Sequence, residues 1–259
     1  MTTTSDHPLE RFLPLLASGD SAASEADLAA EALILDPQAG AIPPPVLPFF
    51  LPARYMWLSA RQARVETVRT IRSAARVVVE QVLHLVIDGS QAVVLPVALA
   101  GETDAAGKLV RVRIYHSTRP LTGHRDVRGP LLDADATVSL AEPVSTHVDA
   151  LARGDLEAVL ATFAEDAGVS ESAGAGSLHV GAAARWAFYA ARLGDAGGGI
   201  ACEPCTVTDD GAACAVEHNV VRWGDRMLPT QAGIAVYQRA SPRLLAAVRI
   251  YDDAEPPPR

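Results

Sequence analysis

The sequence predicts an α+β fold of two tandem cone-shaped domains, each with three helices packed in a strongly curved antiparallel sheet. The first observation behind this prediction is an internal repeat, because three short motifs recur at a near-constant spacing. The motifs at residues 17–20, 79–81 and 113–115 return at residues 152–155, 216–218 and 249–251, which are offsets of 135, 137 and 136 residues. The second observation is that each half begins with helix-like apolar spacing and ends with strand-like alternation.

The first half is expected to form three helices followed by four strands. Apolar residues at helical spacing predict the helices, and alternating apolar residues predict the strands. The predicted helices are 9–17, 25–32 and 44–60, and the predicted strands are 65–71, 76–87, 92–102 and 108–116.

The second half repeats this order, with one short strand among the helices. Gly154 is expected to end the first helix and Asp155 to cap the next. The predicted helices are 144–152, 156–163 and 182–193, and the predicted strands are 169–172, 200–208, 212–223, 229–238 and 244–251. The domain boundaries that follow are 8–118 for the first domain, 119–142 for a linker and 143–254 for the second domain.

Composition narrows the class of protein. The 259 residues are 49% hydrophobic and 20% charged, which is typical of a globular chain. The 22 Lys and Arg against 31 Asp and Glu give a net charge of −9, which argues against nucleic acid or an anionic membrane as a partner. No apolar run reaches about 18 residues and no signal-peptide pattern begins the chain, so we expect a cytoplasmic location.

Strand alternation sorts the side chains of each half into two faces. If the mainly apolar face lines the cone, His218 and Asp252 enter the cavity of the second half. The opposite face carries charged residues at equivalent positions in both halves. These residues are Glu80, Arg113, Glu217 and Arg249.

Three segments of the second half resemble one known superfamily. Residues 146–156, 163–167 and 187–190 are similar to the ketosteroid-isomerase-like and SnoaL-like members of the nuclear transport factor 2 superfamily. The resemblance implies the cone fold in both halves. Cone domains of this superfamily commonly dimerise through the outer sheet face, so the resemblance also implies an internal pseudo-dimer, with ion pairs of the four charged residues of the opposite face at its interface. It implies less about the reaction, because the superfamily includes isomerases, cyclases, epoxide hydrolases, dehydratases and binding modules.

The resemblance also implies a set of site residues. The catalytic base of the isomerases falls on Glu171, their oxyanion tyrosine on His147 and a supporting pocket tyrosine on Tyr189. The second oxyanion donor of the isomerases, a protonated aspartate, falls near Gly233 and is therefore missing.

These residues suggest cofactor-free acid–base chemistry. Glu171 in an apolar cavity would act as the base, while His147 and His218 would donate to the developing charge. Asp252 belongs to the same catalytic set, and Tyr189, Trp186 and His116 are expected to contact the substrate. The expected ligand is a hydrophobic, oxygenated molecule of polycyclic or polyketide type, and the expected reaction is an isomerisation, a cyclisation or an elimination.

Two alternatives stay open. An epoxide hydrolase would need Glu171 and Asp252 around one water molecule. A binding or assembly module without catalysis would fill its cavities with its own side chains. The first half has Phe12, Asp36 and Gln81 at the positions of His147, Glu171 and His218, so we expect it to be mainly structural.

Neither a metal nor another cofactor is expected. The histidines and carboxylates of the site lack a close ligand spacing such as HxH or HExxH. Cys202 and Cys205 have redox-motif spacing but fall in a predicted strand, where they face opposite sides. The basic segment 116–128 could cap a cavity, but pairing with acidic side chains of the domains is the favoured interpretation.

Overall fold

The computed structural model of the chain describes residues 7–74, 76–171, 177–193 and 198–256. The chain divides into two compact units, Met1–His124 and Arg125–Arg259. Of the predicted linker, residues 119–124 fall in the first unit and residues 125–142 in the second. Within the described ranges, every helix is too short or too polar to span a lipid bilayer.

The first unit contains four α-helices and six strands among its described residues. The helices are α1 (Pro8–Ser18), α2 (Ser21–Ala26), α3 (Leu47–Ser59) and α4 (Arg119–Thr122). The strands are β1 (Leu28–Asp36), β2 (Gly40–Ile42), β3 (Arg64–Arg72), β4 (Val77–Ile87), β5 (Gln91–Thr103) and β6 (Leu109–Tyr115).

The second unit repeats this plan over its described residues. The helices are α5 (Val144–Arg153), α6 (Leu156–Ala161) and α7 (Ala182–Leu193). The strands are β7 (Phe163–Glu171), β8 (Leu178–Val180), β9 (Ile200–Asp209), β10 (Ala213–Trp223), β11 (Arg226–Ser241) and β12 (Leu244–Ile250).

The two sheets have the same topology. The strand order is β2-β1-β6-β5-β4-β3 in the first unit and β8-β7-β12-β11-β10-β9 in the second. The internal repeat read from the sequence therefore corresponds to two copies of one α+β fold.

Each sheet is mixed: four of its five strand pairs are antiparallel, as predicted, and one is parallel. The strand that follows the second helix pairs in parallel with the last strand of its unit, β1 with β6 and β7 with β12. Side-chain alternation marks a strand but carries no information on its direction relative to a distant partner. The parallel pairs were therefore invisible in the sequence pattern.

The predicted helix at 25–32 is also corrected. Helix α2 ends at Ala26, and β1 begins at Leu28. This segment is rich in Ala, Leu and Glu, which favour helices in isolation. The pairing with β6 overrides that preference and leaves Ala32, Ile34 and Asp36 buried on alternate positions. In the second unit α6 likewise ends before Phe163, and residue 172 of the predicted short strand lies outside the described residues.

The repeated Gly-Asp dipeptide ends one helix and starts the next in both units. Gly19 and Gly154 end α1 and α5 with positive φ angles of 89° and 72°, a conformation that glycine adopts without steric cost. The carboxylates of Asp20 and Asp155 then accept from backbone N–H groups three residues later and cap α2 and α6. The repeat thus preserves a tight corner between two helices.

Each unit has its own hydrophobic core between helices and sheet. In the second unit Val144, Phe163, Phe188 and Val248 belong to this core. In the first unit Phe12 is fully buried in the corresponding core. The core of the second unit includes the cavity described next.

Candidate functional site

The second unit contains a partly open cavity of about 80 Å³ between α5, α7 and the sheet. Its wall is mainly apolar and includes Leu151, Phe188, Val220, Ala235 and Val248. Polar groups are brought to this wall by six different elements and by the segment after β12. They are His147, Glu171, Tyr189, Arg192, Cys202, His218, Tyr237 and Asp252.

His147 reaches the cavity from the buried face of α5. Its Nδ1 lies 2.9 Å from the Thr162 hydroxyl, and its Nε2 lies 3.3 Å from the Tyr189 hydroxyl. Burial lowers the pKa of His147 to about 4, so its ring is neutral near pH 7. Burial also raises the pKa of Tyr189, which keeps that phenol protonated.

His218 and Asp252 form the second polar pair. His218 lies on β10, and Asp252 follows the end of β12. Asp252 Oδ2 is 3.9 Å from His218 Nε2, which is too long for a direct hydrogen bond. The Nδ1 of His218 is 3.2 Å from the Val216 carbonyl, which can only accept, so Nδ1 carries the proton and Nε2 presents its lone pair.

Gly233 makes room for this pair. It lies directly opposite His218 in the β10–β11 ladder. A Cβ at Gly233 would overlap Asp252 Oδ2 and come within 2.9 Å of His218 Nε2. The resemblance places the missing aspartate of the isomerases near Gly233, and here the space beside that residue is occupied by the carboxylate of Asp252.

Burial shapes the proton affinity of both groups. It raises the pKa of Asp252 to about 6, against the opposing effects of the Ala254 N–H and of the Arg125 and Arg192 charges. It lowers the pKa of His218, although the bond to Val216 acts in the opposite direction. Asp252 therefore exchanges a proton close to neutral pH, while His218 stays neutral.

Glu171 lies at the cavity between two arginines. Its Oε2 is 3.2 Å from Arg125 Nη2, and its Oε1 accepts from Arg192 Nη2. Both carboxylate oxygens are thus engaged by guanidinium groups. Arg125 comes from the basic segment 116–128, so at least this residue of the segment pairs with acidic side chains, as the favoured interpretation holds.

Arg192 and Tyr237 are wall residues that the sequence reasoning missed. Arg192 packs its guanidinium 3.5 Å from the centre of the Phe188 ring, and burial lowers its pKa to about 10, so it remains a cation at neutral pH. Tyr237 lies on β11, and burial raises its pKa well above the usual range. No described residue hydrogen-bonds the Tyr237 hydroxyl. Two patterns in the sequence could have identified these residues. Arg192 lies three positions after Tyr189 on the same helix, and Tyr237 lies an even number of positions after Gly233 on the same strand.

Trp186 does not line the cavity, contrary to the sequence-based expectation. Its side chain is 55% exposed on the outward face of α7, whereas Phe188, Tyr189 and Arg192 face inward. Because α7 turns by about 100° per residue, a residue three positions before Tyr189 could have faced inward, so the spacing alone did not exclude it.

His116 lies in the first unit, just after β6. It is buried, and its Nδ1 is 2.9 Å from the carbonyl oxygen of Ser117. It is not among the residues that line the described cavity.

The equivalent positions of the first unit are engaged in local structure. The Oδ1 of Asp36 accepts from the backbone N–H groups of Gln38 and Ala39, as a turn cap does. The Nε2 of Gln81 donates to the Glu10 carbonyl at 2.8 Å.

Metal ligation has no support in the described residues. They contain no cluster of three or more His, Cys, Asp or Glu side chains arranged to hold an ion. Cys202 lines the cavity from β9, and burial raises its pKa to about 12, which keeps the thiol protonated.

The fold and the cavity define a class of protein: an α+β domain in which helices cover a mixed sheet, with a small, mostly apolar cavity between them. Residues 144–247 match the family model described as the SnoaL-like domain, so this part of the chain is similar to that family. None of the curated proteins compared matches the chain.

Several solved structures are similar to this chain over slightly less than half of its length. One is a protein with a ketosteroid isomerase-like fold from Catenulispora acidiphila, solved with trimethylamine, at 15% identity over 46% of this chain and 92% of that chain, with a TM-score of 0.39. Another is a computationally designed 17-OHP binder at 15% identity, 42% and 89% coverage and a TM-score of 0.37. A third is a candidate polyketide cyclase from Sinorhizobium meliloti at 26% identity, 43% and 94% coverage and a TM-score of 0.35.

Proposed function

We propose that the second unit binds a small, mainly apolar molecule with a carbonyl group and catalyses cofactor-free proton transfer beside that carbonyl. Isomerisation, cyclisation and elimination all begin with such a step. The observation that carries the proposal is the position of Asp252, a buried carboxylate 3.9 Å from a neutral imidazole on the wall of an apolar cavity.

Asp252 is the base in this proposal. With its pKa raised to about 6, the carboxylate is ionised at pH 7 yet holds a proton far better than an exposed aspartate does. His218 Nε2 offers a second basic atom close by, to which the proton can pass through the ligand or a bridging water.

Glu171 takes a different role from the one that the resemblance implies. Each oxygen of the Glu171 carboxylate already accepts from one guanidinium group, so taking up a proton from a substrate would weaken the ion pair with Arg125 or Arg192. In this proposal Glu171 fixes the two arginines, and their positive charges keep the pKa of Asp252 from rising further.

Tyr237 is the donor to the carbonyl oxygen. Its hydroxyl is protonated because burial raises its pKa, and no described residue takes its hydrogen bond. A phenol in an apolar cavity stabilises the negative charge that develops on oxygen when a neighbouring C–H bond is broken.

The cavity volume sets the size of the ligand. Pockets for drug-sized ligands have roughly 300–1,000 Å³, and an engineered cavity of about 150 Å³ binds benzene. A space of about 80 Å³ suits a molecule of a few heavy atoms, and a polycyclic ligand would require movement of the wall.

The test is proton exchange at carbon in deuterated water. The protein is incubated with a panel of small ketones, and loss of the α-hydrogen signals is followed by NMR. We expect exchange with the unaltered protein and with Asp166→Asn, a control at an exposed carboxylate of β7, and a loss of at least about 100-fold in Asp252→Asn. Equal exchange in the two variants would refute the assignment of the base.

Hydrolysis of an epoxide is a second candidate, because the gap between Asp252 and His218 can hold a bridging water that both atoms polarise. Incubation of small epoxides in ¹⁸O-labelled water distinguishes it, since a diol with one labelled oxygen forms only by hydrolysis. Binding of ligands without exchange or hydrolysis would leave a binding module.

A further inference from the structure

Three hydrogen bonds in series link the end of α6 to the cavity. Thr162 Oγ1 donates to the Val159 carbonyl at 2.6 Å. His147 Nδ1 lies 2.9 Å from the same Thr162 oxygen, and His147 Nε2 lies 3.3 Å from the Tyr189 hydroxyl. Thr162, His147 and Tyr189 are all buried.

The direction of each bond follows from the first. A carbonyl oxygen can only accept, and two oxygens 2.6 Å apart repel each other unless a hydrogen lies between them, so the single Thr162 hydroxyl hydrogen points at Val159. Thr162 must then accept from His147, which places the ring proton on Nδ1. The ring is neutral, so Nε2 carries a lone pair and accepts the hydrogen of Tyr189.

The geometry points to a hydrogen-bond acceptor subsite at Tyr189, set by Thr162, that selects ligands bearing a hydroxyl group. The only hydrogen on the Tyr189 oxygen is directed at His147, so towards the cavity this oxygen offers a lone pair. A ligand carbonyl oxygen has no hydrogen to donate to this lone pair, whereas a ligand hydroxyl can donate its hydrogen to the Tyr189 oxygen. His147 thus serves as the acceptor that orients Tyr189 and has no Nε2 proton to donate.

This inference rests on the proposed function in one respect, which is that a small carbonyl compound occupies the cavity. Tyr237 on β11 supplies the free donor, and Tyr189 on α7 supplies the acceptor. Both rings lie 5.7 Å from the His147 ring, centre to centre. A small hydroxycarbonyl compound is the substrate class that uses both groups, because its carbonyl oxygen accepts from Tyr237 and its hydroxyl donates to Tyr189.

The first test observes the imidazole tautomer directly. Proton–nitrogen correlation spectra of the ¹⁵N-labelled protein near pH 7 distinguish protonated from unprotonated ring nitrogens, and the His147 signals are assigned by their loss in His147→Phe, the residue found at the repeat position. We expect a proton on Nδ1 of His147, retained in Thr162→Ser and moved to Nε2 in Thr162→Val. A proton on Nε2 in the unaltered protein would overturn the inference.

The second test compares two ligands of nearly equal shape, hydroxyacetone and butan-2-one, in which a hydroxyl replaces a methyl group. Their dissociation constants are measured by NMR titration. We expect the ratio of the two affinities to shift towards butan-2-one by about 5- to 10-fold in Tyr189→Phe, the size of one lost hydrogen bond, and to stay unchanged in Thr162→Ser.

The outcomes separate the two proposals. An unchanged affinity ratio in Tyr189→Phe would overturn the acceptor subsite alone, while the cavity would still bind carbonyl compounds. No binding of either ligand to the unaltered protein would overturn both the subsite and the proposed binding of small carbonyl compounds.

Discussion

Asp252 Oδ2 faces His218 Nε2 across 3.9 Å, directly over the Cα of Gly233. The three residues come from different strands or strand ends, so the pair exists only when β10, β11 and the end of β12 are in register. The strand ladder, more than local sequence, sets the spacing of the acid–base pair.

Adding one methyl group at Gly233 should separate this pair. In Gly233→Ala the new Cβ would overlap Asp252 and crowd His218, which displaces both side chains. We expect loss of most proton exchange and a destabilisation of about 1–3 kcal/mol, typical of overpacking. Activity and urea unfolding measure the two effects. Gly168→Ala is the matched control, because its Cβ would meet neighbours only at 3.5 Å, an ordinary contact. Equal activity of both variants would contradict the prediction.

Asp252 and His147 should give stability opposite dependences on pH. The pKa of Asp252 is raised to about 6 in the folded protein, so the stabilisation of its protonated form is complete below about pH 4 and lost as the pH rises through 6. The pKa of His147 is lowered to about 4, so the stability linked to its neutral form is complete above about pH 6.5 and lost as the pH falls through 4. Each contribution is about 3 kcal/mol at most.

Single variants separate the contributions of Asp252 and His147 to the pH dependence of stability. Urea unfolding is followed between pH 4 and 7 in a Trp57→Phe background, in which the remaining tryptophans, Trp186 and Trp223, both belong to the second unit. Relative to the parent, Asp252→Asn should become more stable as the pH rises from 4 to 6, and His147→Phe should become less stable over the same interval. Parallel curves for parent and variants would show that neither group has the shifted pKa.

Removing the Tyr237 hydroxyl should affect catalysis more than binding. In Tyr237→Phe the carbonyl oxygen loses its donor, and loss of one such donor lowers kcat by about 10²- to 10³-fold. Stability should change little, because no described residue depends on that hydroxyl for a hydrogen bond. Steady-state exchange kinetics give kcat and KM. A rise in KM alone would mean that Tyr237 only positions the ligand.

Glu171→Gln distinguishes the two candidate bases. If Asp252 is the base, losing the Glu171 charge leaves Arg125 and Arg192 free to stabilise the Asp252 carboxylate, so its pKa falls below about 6 and the pH profile of the exchange shifts to lower pH. A stability loss of about 1–3 kcal/mol accompanies it, because two partly buried cations lose their partner. Complete inactivity at every pH would instead support Glu171 as the base. Asp36→Asn at the repeat position is the control and should leave the exchange unchanged.

The sequence pattern identified the repeat and most helices and strands because Gly-Asp corners and apolar periods are local signals. It missed β1, where helix-favouring residues pair with a strand about 80 positions away. For the site, strand alternation already placed His218 and Asp252 on one face, and extending it along β11 reaches Tyr237. The roles of Glu171 and Thr162 had no such signal, because the arginines that pair with Glu171 and the imidazole that contacts Thr162 are brought near only by the fold.

The parallel pair in each sheet also dictates when a unit can be completed. Strand β7 has no partner on its inner side until β12, the last strand of the unit, is in place. During synthesis on the ribosome, the sheet of the second unit therefore closes only after β12 has emerged. Asp252 follows β12 by two residues, so the residue proposed as the base arrives last, in the same step that completes the sheet.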